Sequence, residues 1–141
     1  MKQPLSFTNE LRSKKLRKTA LRIFLLTTLQ KSGKPLSADE MLCALARTGM
    51  RVHKTSVYRQ LLVLKKSRLI LEVQLGETKK RYELYPEQHH HHAVCMDCGS
   101  IEDVHAERDL AGLEQKITQE KKFRVTHHTL EFFGVCAACS A

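Results

Sequence analysis

Two short cysteine pairs, Cys95-Met96-Asp97-Cys98 and Cys136-Ala137-Ala138-Cys139, constrain this chain more than any other feature. Each is a CxxC knuckle. Together they offer four thiolates, the ligand set of a closed tetrahedral structural Zn²⁺ site. Gly99, directly after the first pair, lets the backbone turn tightly beside a metal. The 37 residues between the pairs exceed the spacing of an ordinary zinc ribbon, so the site is expected to clamp two distant parts of one domain. Disulfides are the alternative. The N-terminus leads into charged residues with no apolar h-region, so the chain reads as cytoplasmic, where disulfides are rare. A thioredoxin-like redox site would need only one pair. The fifth cysteine, Cys43, lies among apolar residues at helical spacing and is expected to be a small core residue.

Charge divides the chain at the same place as the cysteines. Residues 1–85 hold 19 Lys/Arg against 6 Asp/Glu, and residues 86–141 hold 5 against 9. Seven of the eight His and four of the five Cys lie in the second part. A net +13 half attracts polyanions, and nucleic acid is the commonest one. No apolar run approaches the roughly 20 residues needed to cross a bilayer, so no membrane partner is expected.

The first part shows helical patterning. Leu16, Ala20, Ile23 and Thr27, with Phe24 alongside, predict a helix over 16–30. Lys31-Ser32-Gly33-Lys34-Pro35 breaks it. Ser37-Ala38-Asp39-Glu40 is a capping box that opens a second helix carrying Met41, Leu42 and Leu45, with Gly49 as its stop. A third helix begins near Thr55 and places Val57, Leu61 and Leu64 on one face. The period then becomes two. Leu69, Leu71, Val73 and Leu75, a turn at Gly76-Glu77-Thr78, then Tyr82 and Leu84 predict a β-hairpin. Three helices and a hairpin on a basic segment describe a winged helix-turn-helix, with the third helix in the major groove.

Pro86-Glu87-Gln88 reads as a hinge. Beyond it the sequence predicts strands around Ala93–Cys95 and Ile101–Val104. A helix follows over Glu107–Glu120 with Leu110, Leu113 and Ile117 as its stripe, then a strand over Phe123–Val135. The fold class is therefore α+β: a winged-helix domain over 1–85, then a small α/β domain over 86–141.

His89-His90-His91-His92 immediately precede the first knuckle. On an extended chain His90 and His92 point one way, and His89 and His91 the other. That arrangement suggests two separate metal sites completed from elsewhere. His127 and His128, on the expected later strand, would also face opposite sides. Glu83, Asp103, Glu107 and Asp109 are the acidic candidates.

Taken together, these residues resemble the ferric uptake regulator family of bacterial metal-dependent repressors. The motifs that carry the resemblance are Thr55-Ser56-Val57-Tyr58-Arg59, Tyr82-Glu83-Leu84, His90 through Gly99, and Thr126 through Cys139. The resemblance covers nearly the whole chain. It implies a winged-helix DNA-binding domain, a hinge and a dimerisation domain, with double-stranded operator DNA and a second copy of the chain as partners. It also implies residue roles. Tyr58 and Arg59, with Thr55 and Ser56, would contact DNA from the recognition helix, and Arg17 from the preceding segment. Cys95, Cys98, Cys136 and Cys139 would hold structural Zn²⁺. Glu83, His90, His92 and Asp103 would form the regulatory site, and His89, His91 and His128 an additional one.

The chain departs from the family pattern at three positions. Pro35 stands where Fur and its peroxide-sensing relatives usually supply a His ligand from the DNA-binding domain. Ala111 stands where the additional site has a Glu, with Glu107 and Asp109 as possible replacements. Tyr85 stands where zinc sensors often place a thiolate. The nitrogen and oxygen ligands of the regulatory site accept Fe²⁺, Zn²⁺ or Mn²⁺. The expected function is a homodimeric metal-responsive repressor, with a peroxide sensor of the same fold as the alternative. A zinc hydrolase is disfavoured, because no positioned general base is evident. A zinc-storage protein would leave the basic half unexplained.

Overall fold

The Ser37 hydroxyl accepts a hydrogen bond from the Glu40 amide at 3.2 Å, and the Glu40 carboxylate accepts one from the Ser37 amide at 2.7 Å. This reciprocal cap starts α3 (Ala38–Ala46) where the capping box predicts it. The computed structural model describes residues 4–76 and 78–141, with side chains from Phe7 onward except at 107 and 109. It divides the chain into two compact units, Met1–Pro86 and Glu87–Ala141.

The first unit contains α1 (Pro4–Ser13), α2 (Ala20–Ser32), β1 (Leu36–Ser37), α3, α4 (Lys54–Lys66), β2 (Ile70–Val73) and β3 (Arg81–Leu84). Its sheet is antiparallel in the order β1-β3-β2, with Leu71 opposite Glu83 and Glu72 opposite Tyr82. The hydrophobic core lies here. Leu25, Leu26 and Leu29 of α2 pack with Met41 and Leu45 of α3, and with Val57, Leu61 and Leu64 of α4. Helices α3 and α4, followed by the β2–β3 hairpin, make the winged helix-turn-helix.

Several elements differ from the sequence expectation. Helix α1 carries no strong pattern, yet Phe7 and Leu11, one turn apart, are fully buried. Helix α2 starts at Ala20, where Thr19 caps it by accepting from the Arg22 amide. Its buried face is Leu25, Leu26 and Leu29, while Ala20 is exposed and Ile23 and Thr27 are half-buried. The unbroken apolar run Ile23 through Leu26 lets several stripes compete, and packing selects among them. In the hairpin, Ile70 is buried and Leu71 exposed, the reverse of the expected alternation. A residue pair at the strand entry, Leu69-Ile70, turns into the core and shifts the phase. Cys43 is exposed rather than in the core, because Met41 and Leu45 take the inward positions of α3.

The second unit is β4 (His91–Cys95), β5 (Ile101–Val104), α5 (Glu107–Lys121), β6 (Glu131–Gly134) and α6 (Ala137–Ser140). The sheet order is β5-β4-β6, with β4–β5 antiparallel and β4–β6 parallel. The strand expected over Phe123–Val135 shrinks to Glu131–Gly134, and the preceding segment is irregular. His127 and His128 therefore do not alternate across a strand. Leu113, expected in the apolar stripe of α5, is 52% exposed, with Leu110 and Ile117 half-buried. Among the described residues of this unit, only His91, His92, Val94 and Cys95 are buried. A unit of about 55 residues with so thin a core needs metal or oligomerisation to hold it.

Candidate metal centres and nucleic-acid interface

The four cysteines converge. Cys95 ends β4, Cys98 sits in the following turn, Cys136 follows β6 and Cys139 lies in α6. Gly99 takes a φ of +72°, the left-handed conformation that closes the first knuckle, and its amide donates to the Cys95 carbonyl at 2.9 Å. The Sγ atoms lie within 4.8 Å of one another, with Cys98 and Cys136 3.8 Å apart. A tetrahedron with Zn–S bonds of about 2.3 Å has S···S edges of roughly 3.8 Å. The arrangement fits a structural zinc, and all five cysteines are free of disulfides.

The thiols are electrostatically unequal. The amides of Cys98 and Cys136 donate towards Cys95 and draw its pKa down to about 6. The Cys136 amide lies 3.3 Å from the Cys95 sulfur. Cys98 is also lowered, first by the Ser100 hydroxyl 3.3 Å from its sulfur. Cys139 is pushed up to about 12, first by its contact with the Cys136 side chain and then by Cys98.

The histidines separate into two groups on β4 and its approach. His89, His91 and His128 form one. The Nε2 of His128 lies 3.0 Å from His89 Nε2 and 3.3 Å from His91 Nε2. His128 Nδ1 contacts the Glu114 carboxylate at 2.5 Å. His91 is buried, and burial followed by the neighbouring His89 and His128 imidazoles lowers its pKa below the ordinary 6.5. A neutral imidazole is what a metal requires. Sequence reasoning missed Glu114. It lies one helical turn beyond Ala111, which is exposed on the same helix. The side chains of Glu107 and Asp109, considered as replacements, lie outside the described residues. His127 is exposed, with Nδ1 3.2 Å from the Thr126 hydroxyl.

His90, His92 and Asp103 form the other group. The His90 and His92 rings meet edge to face at 5.0 Å. Their Nε2 atoms stand 3.8 and 3.9 Å from the same Asp103 oxygen. Asp103 faces His92 across the β4–β5 register. Glu83 belongs to the first unit, where it is buried on β3 a few residues before Pro86. A buried carboxylate needs hydrogen bonds or a cation to offset its desolvation. Pro35, also buried, offers no side-chain donor, and its carbonyl accepts from Arg81 at 3.3 Å.

On the first unit, α4 turns Val57, Leu61 and Leu64 inward and leaves Thr55, Tyr58 and Arg59 exposed, with Ser56 half-buried. Lys54 lies 5.7 Å from the Tyr58 ring centroid and 3.5 Å from Asp39. Arg17 is exposed on the segment between α1 and α2. Its carbonyl accepts from Arg22 Nη1 at 2.6 Å, and Arg22 Nε donates to Gln60 of α4 at 2.8 Å. Arg22 thus ties the segment bearing Arg17 to the helix bearing Tyr58 and Arg59. Sequence patterning gave no sign of this link, because it depends on a long-range side-chain contact.

The sequence model of the ferric uptake regulator family matches residues 13–133. A ferric uptake regulation protein of Neisseria gonorrhoeae is 29% identical over 133 residues, covering 94% of this chain and 92% of that one. A peroxide operon regulator of Bacillus subtilis is 35% identical over 104 residues, covering 74% of this chain and 70% of that one. The Helicobacter pylori ferric uptake regulator, whose structure is described as having three functional metal binding sites, superposes with a TM-score of 0.79. At 22% identity, over 99% of this chain and 95% of that one, the likeness is one of fold.

Proposed function

Since the chain belongs to the ferric uptake regulator family and is a metal-dependent transcriptional repressor, we propose that it binds palindromic operator DNA as a cytoplasmic homodimer. The observation that carries this reading is the exposed α4 face of Thr55, Tyr58 and Arg59 on a unit of strongly positive charge. The lysines and arginines around it contact phosphates, while Tyr58 and Arg59 reach base edges, with Thr55, Ser56 and Arg17 assisting. A twofold dimer presents two such helices to matching half-sites. Dimerisation through the second unit is supported by its half-exposed Phe123, Phe132, Phe133 and Leu113.

Cys95, Cys98, Cys136 and Cys139 hold structural Zn²⁺ in this reading. Glu83, His90, His92 and Asp103 take the regulatory ion, and His89, His91 and His128 an additional one. The regulatory ion would supply a link between ligands on either side of Pro86. By binding the DNA-competent arrangement preferentially, it would shift the population towards that arrangement. A shift from one part in a hundred to ninety-nine requires a roughly 10⁴-fold preference.

The test is operator binding by fluorescence anisotropy with separately buffered Zn²⁺, Mn²⁺ and Fe²⁺, with metal counted in the same samples. Binding that rises with one of these ions, falls steeply with salt and is lost in Tyr58→Ala/Arg59→Ala supports the reading. Failure to bind with every ion overturns it. A peroxide-sensing role is the second reading, favoured by the Asp103 carboxylate beside His90 and His92, which suits Fe²⁺. It requires iron-loaded protein to gain about one oxygen on the peptide bearing those histidines after peroxide.

A further inference from the structure

The three-imidazole cluster contains a carboxylate in an unexpected role. Glu114 contacts His128 through Nδ1, not through the nitrogen that faces His89 and His91. An ionised carboxylate can only accept, so in the neutral, metal-binding form of the ring the proton lies on Nδ1 and the lone pair on Nε2. That lone pair points at the same place as Nε2 of His89 and His91. Zn–N bonds of 2.0–2.1 Å in a tetrahedron give N···N edges of roughly 3.3–3.4 Å. The observed separations of 3.0 and 3.3 Å are close to that.

We propose that Glu114 is a positioning residue that fixes the His128 tautomer, so that His89, His91 and His128 form an all-nitrogen site for a zinc-class ion, with the carboxylate outside the ligand ring. This rests on the reading that the three imidazoles bind metal at all. The third imidazole makes a direct carboxylate ligand unnecessary, which accounts for an alanine at position 111 being compatible with a working site. The outer carboxylate also locks the plane of the His128 ring. Three imidazoles favour Zn²⁺ over Mn²⁺, which prefers oxygen ligands. Three ligands leave a fourth position open.

The experiment uses full-length protein with the cysteine site already filled with zinc. Further Zn²⁺ is titrated in competition with a chromophoric chelator, and the histidine nitrogens are followed by ¹⁵N NMR. Glu114→Ala should weaken the additional zinc by about 10–100-fold without changing the stoichiometry at saturation. Glu114→Gln, whose amide oxygen still accepts from Nδ1–H, should lose less. Native His128 should carry its proton on Nδ1 and bind zinc through Nε2, whereas Glu114→Ala should mix tautomers. Native affinity in Glu114→Ala, or a proton on His128 Nε2, overturns the proposal. His128→Ala separates it from the reading beneath it. Loss of one zinc equivalent supports the three-imidazole site, and full retention of zinc overturns that site together with the role of Glu114.

Discussion

Cys95 and Cys139 sit in one cluster and are driven in opposite directions. Amide donors hold Cys95 near a pKa of about 6, while its neighbours hold Cys139 near about 12. At pH 7.5 the first is a thiolate and the second a thiol. Zinc binds thiolates, so uptake must expel the Cys139 proton but none from Cys95. Zinc binding in weak buffer with a pH indicator should therefore release fewer protons from Cys139→Ser than from the native protein. Cys95→Ser should lose affinity without that decrease. As pH falls through about 6, Cys95 takes up a proton as well, and zinc affinity should drop more steeply below that value than above it.

The elements show why some of this was readable in advance. The cap of α3 is a local device: Ser37 and Glu40 satisfy each other's amides within four residues. Ser37→Ala should cost about 1 kcal/mol, read as a lowered denaturant midpoint with an unchanged slope. Helix α4 was equally legible, since Val57, Leu61 and Leu64 are separated by polar residues that leave one apolar face. Helix α2 was not, because Ile23 through Leu26 form an unbroken apolar run and only packing selects Leu25 and Leu26 for the core. The overestimated strand before Val135 has a similar origin. Aromatic and β-branched residues from Phe123 onward suit a strand, but β4 pairs only with Glu131–Gly134. The histidines on β4 were placed correctly by alternation, since His89 and His91 meet each other while His90 meets His92. Glu114 was invisible, because its partner is 14 residues away and the path between them leaves α5 for an irregular segment after Lys121.

At the scale of the molecule, the two units solve the problem of stability differently. The first has an ordinary apolar core, whereas the second, among the described residues, buries two histidines and a cysteine beside one valine. Two of its metal-ligand clusters, the four cysteines and the His89/His91/His128 group, lie at opposite ends of the same two stretches of chain. Strand β4 runs from His91 to Cys95, and the stretch from His128 to Cys136 contains its parallel partner β6. Each segment is consequently a measured length of chain, pinned at both ends by coordination geometry that tolerates errors of only a few tenths of an ångström. One added residue contributes roughly 3.3 Å of extended backbone, and also turns every later side chain to the other face. A glycine inserted after Leu130 should therefore abolish one ligand cluster, read as one zinc equivalent lost. The same insertion after Lys122, in the slack before His128, should leave both intact. Slack chain before His128 absorbs a change of length, whereas the eight-residue step from His128 to Cys136 acts as a ruler that must keep its length for both clusters to form.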